Sequence, residues 1–268
     1  EQTQQTQDTV VTDTQAVAAT SDTIAEQPEP TAATLAPGDT TAEQRSLDLD
    51  APQEGEGRTI TITSDLYEAK LSTKGATITS FVLHEYKKFD QETPVQLIHQ
   101  QSKGALSLGF YSASNQLVDT RNLLFSTPVD QDTLVLEDEP IELTFEIPVG
   151  ANGGIQQTYT FRPESYEVDL EVEYINPNSF AETAGYELIW HGGIPFTEGD
   201  ATTEAQASGA YARSGGELTS ITLYDQRSEE LSLSGSVEWS AVKNKFFTAV
   251  MIPEGTTEGA ELSGQRIG

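Results

Sequence analysis

Val168-Asp169-Leu170-Glu171-Val172-Glu173-Tyr174 places an apolar side chain at every second position and a carboxylate between each pair. That period of two is what a strand half in a core and half in water requires, because successive side chains leave a strand on opposite faces. The alternation recurs in Ile141, Leu143, Phe145 and Ile147, separated by Glu142, Thr144 and Glu146, and again in Ile60 and Ile62 among Thr59, Thr61 and Thr63. Turn-forming clusters punctuate these runs at Ser72–Gly75, Asp138–Pro140, Gly150–Gly154, Asn176–Asn178 and Ser214–Gly216. Roughly a dozen strands at a spacing of about 8–12 residues follow, the rhythm of an all-β sandwich. No long helical period appears after Arg58, which excludes a βαβ fold. The fold class is therefore all-β, one large antiparallel domain. Its two hundred or so residues exceed the roughly one hundred of an immunoglobulin-like unit, so a larger double-sheet architecture is expected. Thr197–Gly216, rich in Gly, Ala, Ser and Thr, reads as a long surface loop.

Upstream the texture differs. Residues 1–57 hold no aromatic residue, eleven Thr, and twelve acidic side chains against the single Arg45, a net charge of −11 out of the −29 of the 268-residue chain. Such a segment buries too little surface to offset its chain entropy, so 1–57 reads as a disordered acidic linker rich in Thr, Gln, Ala and Pro. A weak helical face is conceivable over Thr9–Ala19. Residues 58–268 keep −18 and all 21 aromatics, and form the folded domain. The chain stops at Gly268 just after a candidate strand at Gly259–Ser263, so the domain is expected to continue further.

Charge and composition narrow the function. A nucleic-acid binder must bring Lys and Arg to phosphates, and 14 basic against 43 acidic residues argue against it. The same balance disfavours a polybasic grip on anionic headgroups. It suits a protein working at high salt, where screening relieves self-repulsion. No apolar run approaches the 18 or so residues of a membrane span. The absence of cysteine removes disulfides, thiolate metal sites and cysteine nucleophiles.

Chemical motifs are sparse. His84, His99 and His191 are not spaced to put two imidazoles on one metal, and His84 and His99 follow apolar strand residues, as strand-end or edge positions would. His191, between Trp190 and Gly192-Gly193, suits a cleft rim, but a catalytic role there requires a carboxylate within hydrogen-bond reach. Asp48, Asp50 and Glu54 mimic a calcium loop, yet Gln53 stands where the turn needs Gly. Asp130–Asp132, Glu137–Glu139 and Glu198–Asp200 read as solvated turns. No nucleophile elbow, phosphate loop or dinucleotide fingerprint is present. No catalytic, cofactor-binding or metal-binding residue is assigned. Trp190 and Trp239, with Phe246 and Phe247, are expected to anchor the core, and Gly75 to supply a positive φ at a hairpin turn.

Four stretches in order resemble the large periplasmic domain of the YidC-type membrane protein insertases of Gram-negative bacteria. They are Leu66–Tyr86 continuing to Leu97, Tyr159–Asn176, Leu188–Ile194 followed by Glu198, and Val237–Pro253 with its Trp239 and Phe246-Phe247. The family often carries two glycines at the first turn; here the second is Ala76. The resemblance implies a β-supersandwich similar to galactose mutarotase and related sugar-binding folds, held at the bacterial inner membrane and facing the periplasm. It implies attachment through helices outside this fragment, and a non-catalytic part in inserting and folding nascent inner-membrane proteins, with or without the Sec translocon. It further implies contact with the SecD and SecF accessory proteins. No cofactor is assigned, and the fragment is read as monomeric because the sequence gives no basis for a stable oligomer. The competing readings are a sugar-active protein of the mutarotase-like fold using His191 and Glu198, and a generic secreted sandwich that binds sugars or serves adhesion.

Overall fold

A tight turn after Ser72 sets up the first hairpin. Strands β2 (Tyr67–Ser72) and β3 (Thr77–Lys87) pair antiparallel, and Gly75 takes the expected positive φ, +83°. Ala76 follows at +47°, a left-handed conformation that costs a side-chain-bearing residue about 1 kcal/mol or more. Ala76 is held there because it is fully buried and its carbonyl accepts a 2.8 Å hydrogen bond from the Tyr159 hydroxyl. The structure, a computed structural model, describes residues 51–52, 54–182, 185–222 and 228–265. The Thr9–Ala19 segment and most of the expected linker lie outside the described residues.

The β2–β3 hairpin is the centre of a sheet ordered β4-β3-β2-β1-β7, with β1 at Thr59–Thr63, β4 at Pro94–Gln96 and β7 at Thr133–Val135. Only β7 runs parallel to its neighbour among the described pairings. A second sheet, β10-β9-β8, is built from β8 (Ile141–Val149), β9 (Gly153–Phe161) and β10 (Val168–Ile175). Register follows the sequence alternation: Leu143 faces Tyr159 and Ile141 faces Phe161, all on the side that packs inward. On β10, Val168, Leu170, Val172 and Tyr174 lean on the core while Asp169, Glu171 and Glu173 face water. A third sheet, β11-β5-β6, joins β5 (Leu106–Tyr111), β6 (Leu117–Asp119) and β11 (Glu187–Trp190). Side chains from all three sheets meet in one core in which Tyr67 stacks on Phe81 at 4.5 Å and Phe110 meets Tyr174 edge-on.

The remaining strands form a fourth sheet, β13-β12-β15-β16, and a two-stranded pair, β14 with β17. Their spans are β12 Gly209–Ser214, β13 Glu217–Ile221, β14 Ser228–Ser234, β15 Val237–Lys243, β16 Thr248–Met251 and β17 Gly259–Gln265. They share a small second core of Ala212, Ile221, Val237 and Leu262. All-β is thus the fold, as the alternation indicates.

Three expectations need correction. Thr197–Gly216 is no loop: it holds helix α1 (Ala201–Ala207) and strand β12, since Asp200 caps the helix by accepting from the Thr202 and Thr203 amides at 3.1 Å. Trp239 is half-buried and outside both cores. A bulge opposite Arg213 and Ser214 turns Val237 inward, and Trp239, two residues on, falls on the opposite face beside Arg213 and Leu218. Phe246 is 60% exposed at a turn, whereas Phe247 packs on the main core and meets Tyr86 edge-on. Trp190 is half-buried against that core.

Candidate functional site

His191 follows the last residue of β11, and its amide donates to the Ala105 carbonyl at 2.8 Å. Its Nε2 lies 2.7 Å from the Ser107 hydroxyl on β5. Asp119, at the end of β6, caps the short 3-10 turn Thr120–Asn122 through the Arg121 amide at 2.9 Å and takes Arg121 Nε at 2.8 Å. Burial and the Arg121 guanidinium push the His191 imidazole down to about 4, against an opposing pull from Asp119. The ring is neutral at pH 7. For Asp119, burial works upward, but the hydrogen bonds and charge of Arg121 outweigh it and hold the carboxyl below its usual range.

The set therefore contains a hydroxyl, an imidazole and a carboxylate, the residue types of a nucleophile, base and orienting acid. Its geometry is that of a structural knot. Ser107 is 2% exposed, both oxygens of Asp119 are engaged by Arg121, and the charge of that guanidinium opposes protonation of His191. The Ser107–His191 bond ties β5 to the end of β11, while Asp119 and Arg121 lock the turn that follows β6. The carboxylate acting on His191 is Asp119, not Glu198, so the proposed His191–Glu198 pairing is corrected. Of the other imidazoles, His84 is exposed on β3 with Nδ1 3.1 Å from the Asp65 carbonyl, and His99 caps a 3-10 turn through Nδ1. Among the described residues no group of three His, Asp or Glu side chains is placed to hold a metal ion.

A second cluster escaped sequence reasoning. Glu204 on α1 is fully buried, and its carboxylate accepts from the Thr197 amide at 2.9 Å, the Thr197 hydroxyl at 3.0 Å and the Glu198 amide at 2.8 Å. Asn244 is likewise buried; its Nδ2 donates to the Pro195 carbonyl at 3.1 Å and its Oδ1 accepts from the Phe246 and Phe247 amides. Phe89 donates its amide to the Thr197 carbonyl at 2.9 Å. Three loops, 88–93, 194–199 and 244–247, are thereby locked side by side. The only sequence signal was the Asp200-Ala-Thr-Thr-Glu204 pattern of a helix start.

Fold and sites together define an all-β domain of packed antiparallel sheets whose buried polar groups bond one another and the backbone. Comparison with known proteins gives its kinship. The model of the YidC periplasmic domain family matches residues 59–267. The membrane protein insertase YidC of Chlorobaculum parvum is 37% identical over 217 residues, covering 79% of this chain and 36% of that protein. That of Prosthecochloris aestuarii is 34% identical over 225 residues (82% and 38%), and that of Chloroherpeton thalassium 34% over 215 (79% and 36%). The chain belongs to the YidC periplasmic domain family. It spans little more than a third of the length of these curated relatives.

Proposed function

We propose that this chain is the periplasmic portion of a bacterial membrane protein insertase, and that it works by binding and scaffolding rather than by making or breaking bonds. The observation that carries the reading is the family match across residues 59–267, the whole span of the described strands. The β-sandwich and the internally committed His191 knot support it. Residues 58–268 then form the domain, a supersandwich of the galactose mutarotase kind, and residues 1–57 its linker. Nascent inner-membrane proteins are the substrates of the assembly, the Sec translocon with SecD and SecF its neighbours, and the fragment itself is monomeric. Attachment through helices outside the chain is what kinship with the insertases suggests; among the described residues no helix is long and apolar enough to cross a membrane.

Site-specific photocrosslinking from exposed positions of the chain, placed in its full-length insertase, tests this. Adducts to SecD, SecF or newly made membrane proteins are the expected result, and their absence at every position overturns it. Rapid equilibration of fresh α-glucose or α-galactose by the purified chain would overturn the non-catalytic part.

A further inference from the structure

The three locked loops carry a shared feature beyond their hydrogen bonds. Phe89 and Phe246 are each 60% exposed and Phe196 is also exposed, so each loop presents an aromatic ring to the surroundings, with the exposed Tyr86 at the end of β3 beside them. Contacts make them neighbours: Phe89 lies against Gly199, the Tyr86 ring meets Phe247, and Asn244 bonds the loop that bears Phe196. In a domain whose remaining aromatics mostly pack inward, such a group of exposed rings marks an interaction surface.

We propose that this rim is a membrane contact, seating the domain on the headgroup layer of a lipid bilayer with Phe89, Phe196 and Phe246 below the headgroups. The inference rests on the reading of the chain as part of a membrane insertase, and names the partner of one face. Three observations favour lipid over a protein strand. The rings stand on loops, and the Phe89, Phe246 and Phe247 amides are already satisfied by the Thr197 carbonyl and Asn244 Oδ1. Internal satisfaction is what a loop entering a water-poor layer requires, whereas strand addition needs free backbone donors.

Lysines flank the rings. Lys87, Lys88 and Lys245 adjoin the rim in sequence, and Lys245 Nζ lies 4.9 Å from the Phe246 ring centre, whereas Lys243 Nζ lies over the Tyr211 ring. Ammonium groups on long stems beside aromatic rings suit the phosphate level of a bilayer. Finally, the rim gathers lysines in a strongly acidic domain. Its lysines offset part of the charge of Glu85, Asp90, Glu92, Glu198 and Asp200, and Asp90 and Asp200 direct their carboxylates into their own loops through Thr93 and Thr203. Ring insertion rather than charge is thus the driving term.

Flotation of the 268-residue chain with phosphatidylcholine vesicles, with and without phosphatidylglycerol, tests the contact. Binding to both is expected, with weak salt dependence, and Phe89→Ser/Phe246→Ser should lower the bound fraction about tenfold or more, as the loss of two inserted rings requires. Leu218→Ser, an exposed site on β13, is the control and should bind normally. A circular dichroism melt confirms that the double variant is folded, and Lys87→Glu/Lys245→Glu, which removes no ring, should weaken binding to phosphatidylglycerol more than to phosphatidylcholine. Failure of the parent chain to float, or flotation unchanged in both double variants, overturns the proposal. So does self-association without vesicles that the Phe89→Ser/Phe246→Ser variant abolishes, which would assign the rim to contact between copies. None of these outcomes bears on crosslinking to SecD, SecF or substrate, so the two readings fail separately.

Discussion

Residues 59–190 and residues 209–265 use the same alternating strands and reach different packing. In the first region three sheets converge, and Phe145, Tyr159, Phe161, Tyr67 and Leu108 are almost wholly removed from water. In the second, two sheets bury Ala212, Ile221, Val237 and Leu262, while Leu231 and Leu233 stay half-buried and Leu218 is 63% exposed. Alternation makes a strand two-faced, but a facing layer of large side chains is what turns one face into a core. The second region meets its neighbours with alanine and single aliphatics, and so gains less per strand.

The sharpest way to break this contrast is a matched pair of truncations. Phe145→Ala should cost about 3–5 kcal/mol through cavity formation, and Trp239→Ala only about 1 kcal/mol because its indole lies outside both cores. Equal losses in chemical denaturation would erase the distinction. Next in size, Glu204→Ala should cost about 2–3 kcal/mol, since the Thr197 and Glu198 amides would lose their buried acceptor. Glu204→Gln should recover part of that, and a melt insensitive to both would show the clamp is idle.

Acid sharpens the comparison at the His191 knot. With its folded pKa held near 4 against an ordinary 6.5, His191 leaves stability untouched above about pH 6.5. As pH falls toward 5 the unfolded chain takes a proton that the fold refuses, and stability should drop by about 1–2 kcal/mol, partial exposure of the ring lowering the figure. His191→Gln should flatten that part of the profile; an unchanged slope would assign it elsewhere. The smallest effect belongs to the first hairpin. Ala76→Gly relieves the positive φ but loses a buried methyl and frees the unfolded chain, so the two nearly cancel and chemical denaturation should show a change of no more than about 0.5 kcal/mol.

Much of the strand pattern was legible because the alternation of β8 and β10 and the turns at Gly75, Gly150 and Gly215 are local properties of the chain. Helix α1 was hidden by its brevity, seven residues in a Gly- and Ser-rich stretch, and betrayed only by the Asp200 cap. Trp239 misled because a large aromatic on an alternating strand is normally inward, and a bulge cannot be read from spacing. The His191 knot was invisible since Ser107 and His191 are 84 residues apart. The same holds for Asn244 and Pro195, 49 apart, whose bond fixes the aromatic rim.

By itself, then, the sequence determined that the chain is all-β after Arg58, that its acidic leader differs from its aromatic body, and which family its ordered stretches resemble, because each is carried by composition or by neighbours along the chain. Which polar side chains are consumed inside the fold, which tryptophan is buried, and which phenylalanines remain outside were decided only by tertiary structure. Those outcomes depend on bulges, caps and long-range hydrogen bonds, whose partners meet only when distant strands are packed against one another.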